Sequence, residues 1–259
     1  MSERTGTAGD DTGEPRPGAA ADGAPRAGAE AEADGEPRPG VEAEGARSAL
    51  LIDWGGVLTT DLFASFHAHC VTAGIDPQLL ANRFRRDPEA RELLIALEKG
   101  QLAERDFERQ FARLLEVGPE GLIDGLFAGV QPDEAMVDAV RRARRAGVRT
   151  ALVSNSWGVH RYPRDLFDEL FDGVVISGEE GIRKPSKRMY ELGAERAGAR
   201  AQECVYVDDL EFNLTPAREL GMATVHHTSA QTTIPQLERI LGVDLADALA
   251  LASAADPTY

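Results

Sequence analysis

Ala49-Leu50-Leu51-Ile52-Asp53-Trp54-Gly55-Gly56-Val57-Leu58-Thr59 is the stretch on which the fold turns. Four unbroken apolar residues, then an acid, then paired glycines, describe a fully buried parallel strand that ends in a tight turn. An Asp at the C-terminal tip of such a strand points into the crevice where open α/β sheets bind ligands. Gly55 and Gly56 let the backbone turn and approach an anion closely. Taken alone, the pattern also fits an ordinary turn.

Downstream of this strand the texture is helical for about seventy residues, with apolar side chains at helical spacing. Helices are expected over Asp61–Ala73, Glu89–Leu97 and Glu104–Leu115, and no strand. From Pro132 helices and strands alternate: helix Glu134–Ala146, strand Thr150–Val153, a short helix near Asp165–Leu170, strand Gly173–Ile176, helix Ser186–Ala197, strand Cys204–Val207, helix Leu214–Leu220, strand Ala223–Val225 and a last helix Ile234–Leu241. Such alternation implies right-handed crossovers in a parallel sheet. The expected class is α/β: a Rossmann-like parallel sheet with helices on both faces, an inserted all-helical cap and a disordered N-terminal tail. The expected boundaries are a core of residues 48–60 and 131–245, a cap of 61–130, and a frayed C-terminal end of 246–259.

The tail, residues 1–47, is Gly, Ala, Glu, Pro and Arg with almost no large apolar side chains, and repeats Gly-Glu-Pro-Arg-Pro-Gly at Gly13–Gly18 and Gly35–Gly40. It has too little apolar surface to offset its conformational entropy. Eleven acidic residues against five arginines there make up part of the formal charge of −16. With no basic stripe to neutralise phosphates along a duplex, a nucleic-acid partner is not expected. No apolar run approaches a bilayer span and the N-terminus does not resemble a signal peptide. No membrane partner and a cytoplasmic location are the expectations, with oligomeric state left open. Cys70 and Cys204 read as buried or semi-buried reduced thiols.

Two further strand ends and one helix entry carry chemistry. Leu152-Val153-Ser154-Asn155-Ser156 offers a hydroxyl to a phosphate oxygen at Ser154 and an amide that could reach a substrate at Asn155, although both are common loop starters. Gly181-Ile182-Arg183-Lys184-Pro185 sets a point positive charge before a helix, with Pro185 at its first position. Val205-Tyr206-Val207-Asp208-Asp209-Leu210-Glu211-Phe212-Asn213 ends an apolar strand on two adjacent carboxylates, which repel unless a cation sits beside them. Oxygen ligands of this kind suit Mg²⁺. A helix-capping Asp pair is the plainer alternative.

The order Asp53, Ser154, Lys184, Asp208-Asp209 resembles the four signature motifs of the haloacid dehalogenase superfamily, subfamily I, over Ser48–His227. The Lys184–Tyr190 and Val207–Met222 segments are similar to the phosphatase-like N-terminal domain of bifunctional epoxide hydrolases, and to related domains fused to acyl-CoA dehydrogenases. The resemblance implies a Mg²⁺-dependent phosphohydrolase acting on a small phosphorylated metabolite through an aspartyl-phosphate. It makes Asp53 the nucleophile. Asp53, Asp208, Asp209 and the Gly55 carbonyl would be metal ligands, Ser154 and Lys184 would stabilise the phosphoryl oxygens, and Gly56 and Asn155 would contact substrate.

One position departs from that pattern. Most phosphatases of the superfamily carry a general acid and base two residues after the nucleophile, where this chain has Gly55. Three readings follow: a leaving group that needs no proton, a cap histidine (His67 or His69) as substitute, or weak or absent turnover in a phospholigand binder. A dehalogenase-type hydrolase, which needs no metal, is a further alternative that Asp208-Asp209 disfavours.

Overall fold

The computed structural model describes residues 46–245. Residues 1–45 of the expected tail (1–47) and the expected frayed end at 246–259 lie outside the described residues.

The strand that decides the fold, β1 (Ala49–Ile52), is buried at every position. It is followed by five helices: α1 (Leu62–Ala73), α2 (Pro77–Arg86), α3 (Pro88–Glu98), α4 (Glu104–Leu115) and α5 (Leu122–Phe127). The core then resumes as α6 (Glu134–Arg145), β2 (Arg149–Ser154), α7 (Phe167–Leu170), β3 (Gly173–Ile176), α8 (Ser177–Glu180), α9 (Lys187–Ala197), β4 (Cys204–Asp208), α10 (Glu211–Glu219), β5 (Ala223–His226) and α11 (Ala230–Leu241). The sheet order is β3-β2-β1-β4-β5, with every pair parallel. β1 is therefore central.

Because successive side chains of a strand point to opposite faces, β1 feeds two cores. Leu50 and Ile52 join Leu152, Val205 and Val207 under α6 and α11. Ala49 and Leu51 join Ala151, Val153 and Tyr206 under α9 and α10. Helices thus cover both faces. The cap has a core of its own, centred on Phe66, Phe107, Phe111 and Leu126. The chain leaves and re-enters the sheet through two adjacent segments: Thr59 pairs with Pro132, and Thr60 N–H donates to Gln131 C=O at 2.8 Å.

α2 and α5 were not foreseen. α2 buries only Leu80 and α5 is six residues long, so neither projects a recognisable apolar stripe. Asp76 and Asp87, each followed by Pro, start α2 and α3 by accepting from backbone amides of the first turn. Pro185 does not open α9 as expected; the helix starts at Lys187 after Ser186, and Pro185 lies before the cap. Both cysteines are free and buried. Among the described residues no helix is long and apolar enough to cross a membrane.

Candidate active site

The register Ile52↔Val207 puts the ends of β1 and β4 side by side, so Asp53 and Asp208 meet because their strands are neighbours. Asp209 follows directly. One carboxylate oxygen from each of the three lies within 4.8 Å of the others. Asp53 is 7 % exposed and Asp208 fully buried. Burial foremost, and then the charge of Asp208, push the Asp53 carboxyl up to about 6 against the pull of Lys184. Burial, with Asp53 and Asp208, raises Asp209 to about 7. Such a cluster holds too much negative charge for its setting and suits a divalent cation bound through oxygen.

Lys184 is the internal counter-charge. It is fully buried, and its Nζ lies 2.8 Å from Asp53 Oδ2 and 2.7 Å from Asp208 Oδ2 while donating to Tyr206 Oη at 3.0 Å. Burial alone pulls the ammonium down, but Asp208 and Asp53 more than offset it and hold the proton well above the ordinary lysine value.

The acidic pair is not equivalent. Asp208 Oδ1 accepts from Leu210 N–H at 2.9 Å and from Asn213 Nδ2 at 3.0 Å. Asp208 Oδ2 accepts from Lys184 and from the Tyr206 hydroxyl. Its acceptor capacity is taken by the protein. The Asp209 carboxylate instead faces Gly56, where a Cβ would lie 2.6 Å from Oδ2; that position also has φ +74°. Glycine is needed there twice over. The buried Oδ1 of Asn213 has no hydrogen-bond partner among the described residues, an orphaned acceptor at the rim of the same site.

Ser154 ends β2 on the other side of β1. Its Oγ accepts from Tyr162 Oη at 3.0 Å, which leaves its own proton for another acceptor. Asn155 spends its side chain on Lys184, accepting from Lys184 N–H at 2.8 Å and donating to Lys184 C=O at 3.3 Å. The Gly56 amide donates to Thr59 Oγ1 at 3.0 Å. These bonds set the loop and the lysine in place.

Between Asp53 and the cap lies a cavity of about 580 Å³. Asp53, Gly55, Lys184 and Asp209 form its floor, and α1, α2 and Trp157 contribute walls. His67 lines it. His69 does not; it packs against α5, where a Cβ on Gly125 would lie 2.1 Å from His69 Cε1. A Cβ on Gly55 would meet Leu62 Cδ1 at 2.7 Å, so an apolar side chain fills the space beside the strand tip.

Several site residues were not singled out from sequence. Tyr206 and Tyr162 are buried phenols behind Asp208 and Ser154; in sequence they read as core side chains. Asn213 carried a signal in its place after Asp208-Asp209. Glu98, at the end of α3, forms a buried ion pair with Arg183. Burial first of all raises Glu98 to about 7 in spite of that partner. Nothing in sequence linked those two residues.

Comparison with known proteins agrees with this arrangement. A family model described as haloacid dehalogenase-like hydrolase matches residues 48–221. The chain is 30 % identical over 159 residues to acyl-CoA dehydrogenase family member 10 of Mus musculus, covering 57 % of this chain and 15 % of that protein. It is 32 % identical over 123 residues to bifunctional epoxide hydrolase 2 of Sus scrofa, covering 45 % of this chain and 22 % of that one. The chain therefore spans less than a quarter of either relative. A HAD family enzyme of Bacteroides thetaiotaomicron, solved with magnesium and inorganic phosphate, superposes with a TM-score of 0.57 at 21 % identity over 70 % of this chain and 94 % of that one, a likeness of fold. With the matched segment, the parallel sheet and a helical cap inserted between β1 and β2, this chain belongs to the haloacid dehalogenase-like hydrolases and has their subfamily I architecture.

Proposed function

We propose that the chain is a Mg²⁺-dependent phosphohydrolase that acts on a small phosphorylated metabolite through a phosphorylated Asp53. The observation that carries this reading is the meeting of three carboxylates, two of them bridged by one buried ammonium, at the ends of two adjacent strands. Three negative groups against one positive leave the site short of cationic charge, and every donor is a hard oxygen, so the residues fit Mg²⁺. Asp53, Asp209 and the Gly55 carbonyl would hold it, with Asp208 chiefly orienting Lys184. When bound, the ion supplies charge that draws the anionic phosphoryl group and the anionic nucleophile together.

In the first half-reaction an Asp53 oxygen forms a bond to phosphorus as the ester P–O bond breaks, and the electron pair leaves with the alcohol oxygen. In the second, water attacks phosphorus, Asp53 is released as carboxylate, and a proton passes to solvent. Lys184 and the free proton of Ser154 stabilise charge on the transferring oxygens. Leu62 fills the room beside Gly55, so proton donation to the departing oxygen is assigned to the cap, where His67 lines the cavity. That same apolar plug supports a second reading, a phospholigand binder with little turnover. A dehalogenase gains nothing from the open carboxylate of Asp209.

The test is phosphate release from p-nitrophenyl phosphate and acetyl phosphate. Activity should require Mg²⁺, disappear in EDTA, and fall at least about 10³-fold in Asp53→Asn. Equal rates in Asp53→Asn and wild type on both compounds would reject the enzyme reading.

A further inference from the structure

The cavity above Asp53 is built for a particular kind of leaving group. Its floor is ionic, yet its walls are mainly apolar, with Phe66, Leu80, Phe84, Leu94 and Trp157; His67, Gln78 and Arg85 interrupt them. Trp157 comes from the core loop after β2, and its ring packs edge-on to Phe66 at 5.3 Å and to Phe84 at 5.7 Å. Phe63 of α1 and Phe212 of α10 also line it, and each leaves 55 % of its surface in water. Two exposed phenyl rings in the lining of a largely apolar chamber are surface that a ligand can cover. The one acid in the wall, Glu98, is taken up by Arg183.

The two neighbouring cavities differ. One of about 510 Å³ holds Ser154 and Asn155 but not Asp53, and is faced by Asp124, His160 and Arg161. Another of about 840 Å³ is ringed by Asp61, Asp133 and Glu134, which repel a phosphate ester. Of these three cavities, the apolar chamber is the one lined by Asp53 and Lys184.

We infer that the substrate is the phosphate monoester of an apolar alcohol, whose hydrocarbon body lies in this chamber with the phosphoryl group on Asp53. The position of the phosphoryl group rests on the phosphohydrolase reading. A polyhydroxylated phosphate of similar length is disfavoured, because hydroxyls set against those five side chains lose their water partners and most of the wall offers no replacement.

The experiment is a binding series on full-length Asp53→Asn in the presence of Mg²⁺, by titration calorimetry. The ligands are methyl-, butyl- and hexylphosphonate and an equally long polyol phosphonate. Affinity should rise about threefold to fourfold per added methylene, and the polyol should bind no better than methylphosphonate. Phe63→Ser and Phe212→Ser, both at exposed positions, should each lower the hexyl-to-methyl affinity ratio by about threefold or more. A series flat within about threefold from methyl to hexyl overturns the inference, even if wild type releases phosphate. A steep series in a protein whose wild type releases no phosphate upholds the apolar ligand and removes the phosphohydrolase reading instead.

Discussion

Lys184 shows what a buried charge requires. An ammonium has three donors, and this one spends them on Asp53, Asp208 and Tyr206. Removing either carboxylate upsets the charge balance in a poor dielectric, and removing the Tyr206 hydroxyl leaves one ammonium N–H without its acceptor. Burial governs the carboxyls too: Asp53 stands at about 6, Asp209 and Glu98 at about 7. A carboxyl raised above its unfolded value contributes stability that is fully present below that unfolded value and is lost as pH rises through the folded one. With EDTA, these three groups should therefore cost stability progressively from about pH 4 to about pH 7. Mg²⁺ reverses the part due to Asp53 and Asp209, so the rise in melting temperature on adding Mg²⁺ should grow between pH 5 and pH 8. Calorimetric scans at both ends check this, and a rise that shrinks with pH contradicts it. Asp53 and Asp208-Asp209 were legible because charges at the ends of apolar runs have few structural excuses, whereas Lys184 stood out only in company with them. Their partners were not: Tyr206 obeys the strand alternation, and the Glu98–Arg183 pair exists only once α3 lies on the core.

At the level of elements, sequence reading located each strand of the described residues, with ends exact or displaced by one residue. Strands were readable because burial on both faces gives unbroken apolar runs. Cap helices were readable in proportion to their buried stripe: α4 buries Phe107, Phe111 and Leu115, whereas α2 had only Leu80 to announce it. Packing between elements leaves other marks, as at Gly193 on α9. A Cβ there would lie 2.5 Å from Val153 Cγ2 and 2.9 Å from Leu51 Cδ2, both in the sheet core. Gly193→Ala gains about 1 kcal/mol of helix propensity, but overpacking costs typically about 1–3 kcal/mol. The net expectation is a loss of about 1 kcal/mol, seen as a lower urea midpoint with an unchanged slope. A more stable Gly193→Ala would mean that α9 can shift off the sheet.

For the molecule as a whole, the insertion after β1 was evident from the change of texture at Pro132, but how the cap rests on the core was not. That depends on a few long-range contacts. Arg161, in the loop after β2, lies 2.9 Å from Glu104 Oε2 on α4 and 2.7 Å from Asp124 Oδ1 on α5. Ser177 Oγ donates to Glu98 C=O. Trp157 sits among Phe66, Phe84, Phe107 and Phe127, all of them cap residues, with centroid separations of 5.3–5.9 Å. An indole carried by one part of the chain and shielded by another makes the protein its own optical gauge. In a Trp54→Phe background the remaining emission should be blue when the aromatic ring set is closed around it. Arg161→Ala, by releasing two ion pairs, should move it to longer wavelength and make it more accessible to iodide. Stopped-flow mixing could then time each opening and closing without an attached dye.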